Sequence, residues 1–180
     1  MTNLIWKKLR SERGENLHIA KVRFDTWENP RNGSTIRATV LETPDWVNIT
    51  ALTPEGKILV VKQFRLGMET VTTETPAGVI EAGEDPQVAA MRELAEETGY
   101  TTDDWTYLGV VEPNPAFQDN HCHQFLARDV RRTQDVSQDE GENVEYCEMT
   151  LAEVKEEIKA GRMRNSLALL TLSRVFEIWS

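Results

Sequence analysis

Short apolar blocks bounded by turn-forming residues fill the first two thirds of the chain, and helical spacing takes over in three places. His18 to Trp27 and Thr35 to Thr43 flank the turn-rich run ENPRNG, so both read as strands. Val47 to Leu52 is short and apolar, Thr53–Pro54–Glu55–Gly56 is a turn, and KILVVKQF (57–64) follows, which together predict a hairpin. A further strand is expected near Thr70 to Thr75. Trp105 to Val111 and His121 to Ala127 read as strands joined by a loop carrying Pro113 and Pro115, and Asn143 to Met149 as another. Thr150 with Glu153 makes a capping-box pattern ahead of a helix over Ala152 to Ala160, ended by Gly161; Asn165 to Trp179 reads as a second helix. Strands interspersed with a few helices, without strict alternation, predict an α+β fold or a sheet sandwiched between helices. Residues 1–45 form a strand-rich arm and residues 46–180 one domain.

The remaining helical segment carries the chemistry. Residues 78–100 read GVIEAGEDPQVAAMRELAEETGY. Asp85 is a good N-cap, Pro86 suits the first helical position, the Ala-rich run favours propagation, and Gly99 is a natural stop. Glu93 and Glu97 are one turn apart and share a face, with Glu96 beside them. Val88, Met91, Leu94 and Ala95 are expected on the opposite side, against the core, with Ala89 and Ala90 leaving room near the acids. Carboxylates crowded this closely repel one another and need a countercharge. Hard divalent cations, which prefer carboxylate oxygens, are the natural answer.

Composition narrows the field. The chain has 180 residues, 39% hydrophobic, enough for one real core. Its net charge of −10 opposes general nucleic-acid binding, although a small anion can still be held where a metal and a few arginines are focused. No stretch has the apolar length of a membrane span, the N-terminus MTNLIWKKLRSERGEN has no apolar signal core, and Cys122 and Cys147 set no disulfide framework. The expectation is a cytoplasmic, soluble protein. His121 and His123 would share one face of a strand with Cys122 on the other, but no CxxC or further His supports zinc, and nothing supports a nucleophilic Cys122.

The spacing G-x5-E-x7-R-E-hydrophobic-x-E-E-x-G-hydrophobic, filled at every position, resembles the signature of the Nudix hydrolases. VVKQFRLG before it, ETPAG leading into it, Pro115 after it and the tail KAGRMRNSLALLTL resemble the ADP-ribose pyrophosphatase branch. The resemblance implies a Nudix α/β/α sandwich with a mixed sheet, and an N-terminal arm exchanged across a homodimer. It implies Mg²⁺, with Mn²⁺ as a possible substitute, held by Glu93, Glu97, Glu96 and the Ala77 carbonyl and organised by Arg92. Glu84 either stabilises the loop or touches metal. A general base is expected from the acidic loop QDEGENVE, Glu142 first and Glu140 in reserve. Arg65 is expected to face the phosphates and Glu74 to hydrogen-bond a sugar hydroxyl. Trp6 and Trp27 resemble a pair that sandwiches adenine between subunits, with Arg31 and Arg37 as further candidates on the arm.

The implied activity is hydrolysis of the diphosphate of ADP-ribose and related nucleoside diphosphate sugars to a nucleoside monophosphate and a sugar phosphate. The expected partner is a small nucleotide sugar, with no membrane and no nucleic acid. Two alternatives are a non-catalytic module sensing nucleotide sugars, which an eroded acidic motif would mark, and an RNA 5′-end pyrophosphohydrolase, which a basic groove would mark.

Overall fold

The computed structural model describes residues 3–138, 141 and 143–179. Two compact units make up the chain, Met1–Pro44 with Glu112–His121, and Asp45–Val111 with Cys122–Ser180.

The first unit is an antiparallel meander of β1 (Lys7–Asn16), β2 (Lys21–Glu28) and β3 (Thr35–Glu42). The β2–β3 turn is closed by the Asn29 N–H on the Ser34 carbonyl at 2.8 Å and the Gly33 N–H on the Asn29 carbonyl at 2.9 Å. Residues 112–121 lie along β3, where the Leu41 N–H donates to the Phe117 carbonyl at 2.7 Å. β1, KKLRSERGEN, has no apolar alternation and was not individually legible in the sequence. It is held through backbone pairing and through Asp25 on β2, a fully buried carboxylate that receives Ser11 at 2.6 Å, Lys8 at 2.9 Å and Arg23 at 3.1 Å. A buried charge persists when its lone pairs are filled in this way.

The second unit is built on β4 (Trp46–Leu52), β5 (Ile58–Arg65), β6 (Thr70–Glu74), β7 (Ala77–Val79), α1 (Pro86–Thr98), β8 (Tyr100–Thr101), β9 (Asp104–Val111), β10 (Cys122–Arg128), β11 (Arg131–Arg132), β12 (Val144–Met149), α2 (Leu151–Lys159) and α3 (Ser166–Ser173). The main sheet runs β12-β5-β4-β10-β9, with β6 beside β5 and β7 beside β4. It is mixed, because β10 is parallel to β4 while β9, β5 and β7 pair antiparallel. Strand alternation sends successive side chains to opposite faces. Val47, Ile49, Ala51 and Leu59 meet Ala89, Ala90 and Leu94 of α1, whereas Ile58 and Val60 meet Val154 of α2 and Leu172 of α3. The result is an α/β/α sandwich, α1 on one face and α2 and α3 on the other.

Two expectations are corrected. Val88 and Met91 are exposed, at 54% and 40%, and α1 packs through its alanines and Leu94, whose small stripe lets the helix approach the sheet closely. The last helix stops at Ser173 rather than reaching Trp179, since the chain turns there and returns Phe176 and Ile178 to the α2–α3 core cluster.

Candidate active site

The acidic helix is fixed at both ends by its own residues. Asp85 accepts the Gln87 N–H at 2.8 Å and the Val88 N–H at 3.4 Å, and Pro86 opens α1. Gly99 takes the left-handed conformation (φ 76°) and donates to the Ala95 carbonyl at 2.8 Å, a conformation that costs a side-chain-bearing residue more. Glu93 and Glu97 lie on the buried side of the helix, 9% and 5% exposed, while Glu96 is half-buried.

Arg92 is the hub. Nε and Nη2 donate to the two Glu84 oxygens, each at 3.0 Å, Nη1 to Glu93 at 2.8 Å and Glu96 at 3.0 Å, and Nη2 also to the Val79 carbonyl at 2.9 Å. A guanidinium has five N–H donors, and these contacts use them all. Every Arg92 donor is therefore engaged, by Glu84, Glu93, Glu96 and the Val79 carbonyl. Glu84 receives, besides Arg92, the Glu81 N–H at 2.9 Å, which closes the loop before the helix. Hydrogen bonding to Arg92, then to the Glu81 backbone, holds the Glu84 carboxyl below the usual carboxylate range, and the same acids raise Arg92 further above its ordinary value.

β7 runs beside the helix. Glu97 accepts the Ala77 N–H at 3.1 Å. Next to it, a Cβ added to Gly78 would lie 1.9 Å from the Glu93 carboxylate carbon and 2.1 and 2.2 Å from its oxygens. Gly78 is thus a recess whose missing side chain is filled by a carboxylate. Among the described residues no three His, Cys, Asp or Glu side chains form a preassembled metal cage; the acids surround Arg92, which supplies their countercharge. The donor chemistry, Glu93 and Glu97 beside the backbone of β7 with Glu96 tied to Glu93 through Arg92, suits a hard divalent cation.

Arg65 ends β5 and grips Glu74 with a fork, Nε to Oε1 and Nη2 to Oε2, both at 2.8 Å. Glu74 also receives Thr72 at 2.5 Å and Asn165 at 2.6 Å. Burial alone would raise its carboxyl; Arg65, Thr72 and Asn165 outweigh burial and hold it below its ordinary value. The expected contact of Glu74 with a sugar is corrected: the side chain is 1% exposed and four donors converge on it. Arg65 keeps a partly exposed outer edge and feels the charge of Glu97, which sets it near the acidic face.

Trp6, Trp27, Arg31 and Arg37 belong to the first unit. Trp27 pairs with Lys8 and Ile36, and the Lys8 ammonium sits 4.9 Å from the ring centroid. Arg37 pairs with Thr26, on the other face of the sheet, and lies 3.9 Å from the Phe24 ring with Glu12 at 3.4 Å. Strand alternation therefore sends Trp27 and Arg37 to opposite faces of the sheet. Arg31 is exposed in the β2–β3 turn and Trp6 is exposed just before β1. Glu140 and Glu142 lie outside the described residues. Cys122 is buried, and burial, then the charge of Asp45, pushes its thiol up to about 12, which disables it as a nucleophile. His123 meets the Tyr107 hydroxyl at 3.0 Å and Asp45 at 3.8 Å. Asn165 and Thr72 are the residues that sequence reasoning missed; the only signal was the helix start at Asn165.

Residues 43–170 match the family model for the NUDIX domain. The chain is 34% identical over 167 residues to the methanol dehydrogenase activator of Bacillus methanolicus, covering 92% of this chain and 90% of that protein. It is 41% identical over 121 residues to the ADP-ribose pyrophosphatase of Bacillus subtilis (strain 168), covering 67% of this chain and 65% of that one. The crystal structure of an ADP compounds hydrolase superimposes with a TM-score of 0.83 at 21% identity, covering 94% of this chain and 91% of that one, which is likeness of fold.

Proposed function

The chain belongs to the NUDIX domain family, and from that membership we propose that it hydrolyses the diphosphate of ADP-ribose and related nucleoside diphosphate sugars. Water adds to one phosphorus, the phosphoanhydride P–O bond breaks, and for ADP-ribose the products are AMP and ribose 5-phosphate. The observation that carries this reading is the glycine recess on β7 that seats Glu93 beside Glu97, with Arg92 tying Glu93 to Glu96 and Glu84. Its support among relatives is the 41% identity to an ADP-ribose pyrophosphatase.

In this reading Glu93, Glu97, Glu96 and the Ala77 carbonyl hold Mg²⁺, or Mn²⁺ in its place. When bound, the cation neutralises phosphate oxygens and lowers the pKa of a water molecule. Arg92 keeps the carboxylates oriented, and the outer edge of Arg65 meets a phosphate oxygen. Glu142, with Glu140 in reserve, is the proposed proton acceptor, a reading that rests on the sequence of that loop. Dimerisation through the arm, bringing Trp6 and Trp27 to a shared base site with Arg31 and Arg37 at its rim, belongs to the same proposal. Its support is the exposure of Leu4, Ile5, Ile19 and Ile36 in the first unit. A cytoplasmic location is supported by Cys122 and Cys147 being unpaired. Among the described residues no helix is long and apolar enough to cross a membrane.

The test is a panel of nucleotide sugars and a 5′-triphosphorylated RNA, each with Mg²⁺, scored for phosphomonoester release. Turnover of ADP-ribose is expected. Binding without cleavage favours a sensor, and turnover of the RNA alone favours end-processing. A second reading, activation of a partner dehydrogenase, is favoured by the 34% identity that extends over 92% of the chain. An unchanged rate of methanol oxidation by a methanol dehydrogenase when this chain is added would remove it.

A further inference from the structure

Glu74 and Asn165 stand 91 residues apart in the chain yet are joined at 2.6 Å. Both ends of the Asn165 amide are in use. Its oxygen accepts the Leu167 N–H at 2.9 Å and the Ala168 N–H at 3.4 Å, capping α3, while its nitrogen donates to Glu74 Oε2. Thr72 closes on Oε1 at 2.5 Å. With those two donors in place the carboxylate plane is set, and the Arg65 fork is set with it at 2.8 Å on each arm. The segment leading to α3 is itself fastened to β6: the Thr73 N–H donates to the Arg162 carbonyl at 3.0 Å, the Thr73 hydroxyl to Glu157 at 2.8 Å, and Arg162 to Glu157 at 2.8 Å. Glu74 is 1% exposed, so its only role toward solvent passes through Arg65, whose side chain is 42% exposed.

We propose that Asn165 and Thr72 are positioning residues, which fix Glu74 so that the outer N–H groups of Arg65 are aimed at a diphosphate. The N-terminus of α3 is thereby wired to the anion grip. This rests on the reading of Arg65 as a phosphate ligand. The physical reason is geometric: a guanidinium binds a phosphate well only when its plane is held, and a long side chain left to rotate loses that advantage. Glu74 supplies the plane, and Asn165 and Thr72 supply the angle of Glu74.

The capping role and the positioning role of Asn165 separate by substitution. Asn165→Ser keeps a good cap and removes the donor to Glu74, and Asn165→Asp keeps the cap and sets a like charge against Glu74. Arg65→Ala removes the grip itself. Each single variant and the double variant Arg65→Ala/Asn165→Ser are titrated with inorganic pyrophosphate by calorimetry, assayed on ADP-ribose, and melted to confirm folding. Asn165→Ser is expected to weaken pyrophosphate binding and raise KM by about fivefold with kcat within about twofold, and Asn165→Asp by about tenfold or more. In the Arg65→Ala background Asn165→Ser should add nothing, because its effect travels through Arg65. Unchanged affinity in both Asn165 variants, or an Asn165→Ser effect of equal size with and without Arg65, overturns the inference. If Arg65→Ala leaves pyrophosphate affinity intact, the phosphate-ligand reading fails and the inference with it. If wild type cleaves no nucleotide sugar but the coupled loss of pyrophosphate binding persists, the proposed reaction fails and the positioning inference stands.

Discussion

Gly78→Ala separates chemistry from stability. Gly78 sits in β7, paired with Val47 of β4, and its backbone is open to alanine, so no penalty arises from conformation itself. The cost is steric and local. The new Cβ would stand 1.9 Å from the Glu93 carboxylate carbon, where ordinary contact begins at 3.4 Å, so the carboxylate must retreat by about 1.5 Å. That atom is the end of a flexible side chain, and the contacts the retreat gives up include the hydrogen bond from Arg92 Nη1 at 2.8 Å. Such a bond at a partly exposed site is worth about 1 kcal/mol, which lowers Tm by roughly 2–4 °C in a chain of this size. The consequence for cation binding is far larger. Mg²⁺–oxygen distances near 2.1 Å tolerate little variation, and a displacement of about 1 Å costs on the order of 10²-fold in rate. Steady-state kinetics on ADP-ribose beside a thermal melt should show kcat/KM down by about a hundredfold with Tm almost kept. A variant with kcat/KM within twofold of wild type would refute the assignment of Glu93, and a variant that fails to fold would refute the claim that the carboxylate yields cheaply.

Glu97→Gln is expected to lose at least about a hundredfold in kcat while retaining its circular dichroism, because even outer-shell changes at metal sites cost 10–100-fold; normal turnover would remove Glu97 from the site. Arg65→Lys keeps the charge but not the fork, so KM should rise about tenfold with kcat nearly constant, and equal KM values would contradict a bidentate role. The Asp25 carboxyl stands at about 2 against an ordinary 3.8: burial would raise it, and Ser11, Lys8 and Arg23 outweigh burial. A depressed folded value stabilises above the unfolded one and is lost as pH falls from 3.8 through about 2. Asp25→Asn should therefore cost at most about 2 kcal/mol near neutrality and flatten the acid limb of urea denaturation, and superimposable pH–stability curves would count against it.

The helix that carries the acids was legible because its signals are local: Asp85, Pro86 and Gly99 cap it whatever surrounds it. Its inner face was not, since Val88 and Met91 are more hydrophobic than Ala89 and Ala90, yet closeness to the sheet selects the smaller residues. β1 escaped notice because its stability comes from ladder pairing and the Asp25 network, neither of which leaves an apolar period. The hairpin over Thr53–Gly56 was readable from its turn, closed by the Thr53 N–H on the Lys57 carbonyl at 2.9 Å. At the proposed site, the crowding of Glu93, Glu96 and Glu97 on one stretch of helix was legible from spacing, while the ligand roles came from the family resemblance. The fate of Glu74 could not, because the partner that seals it, Asn165, is brought in by α3 from the far end of the chain. The arm residues Trp27 and Arg37 looked alike in the sequence, and only the β2–β3 register sends them to opposite faces.

The central claim, that the acid-bearing face of α1 cleaves a phosphoanhydride with a divalent cation, is tested most directly by following ADP-ribose by phosphorus NMR in the presence of the protein. With Mg²⁺ the coupled diphosphate signals should give way to two phosphomonoester signals, and chelation should halt the change until Mg²⁺ is restored. A diphosphate that stays intact with Mg²⁺, or one cleaved at the same rate after chelation, would contradict the account.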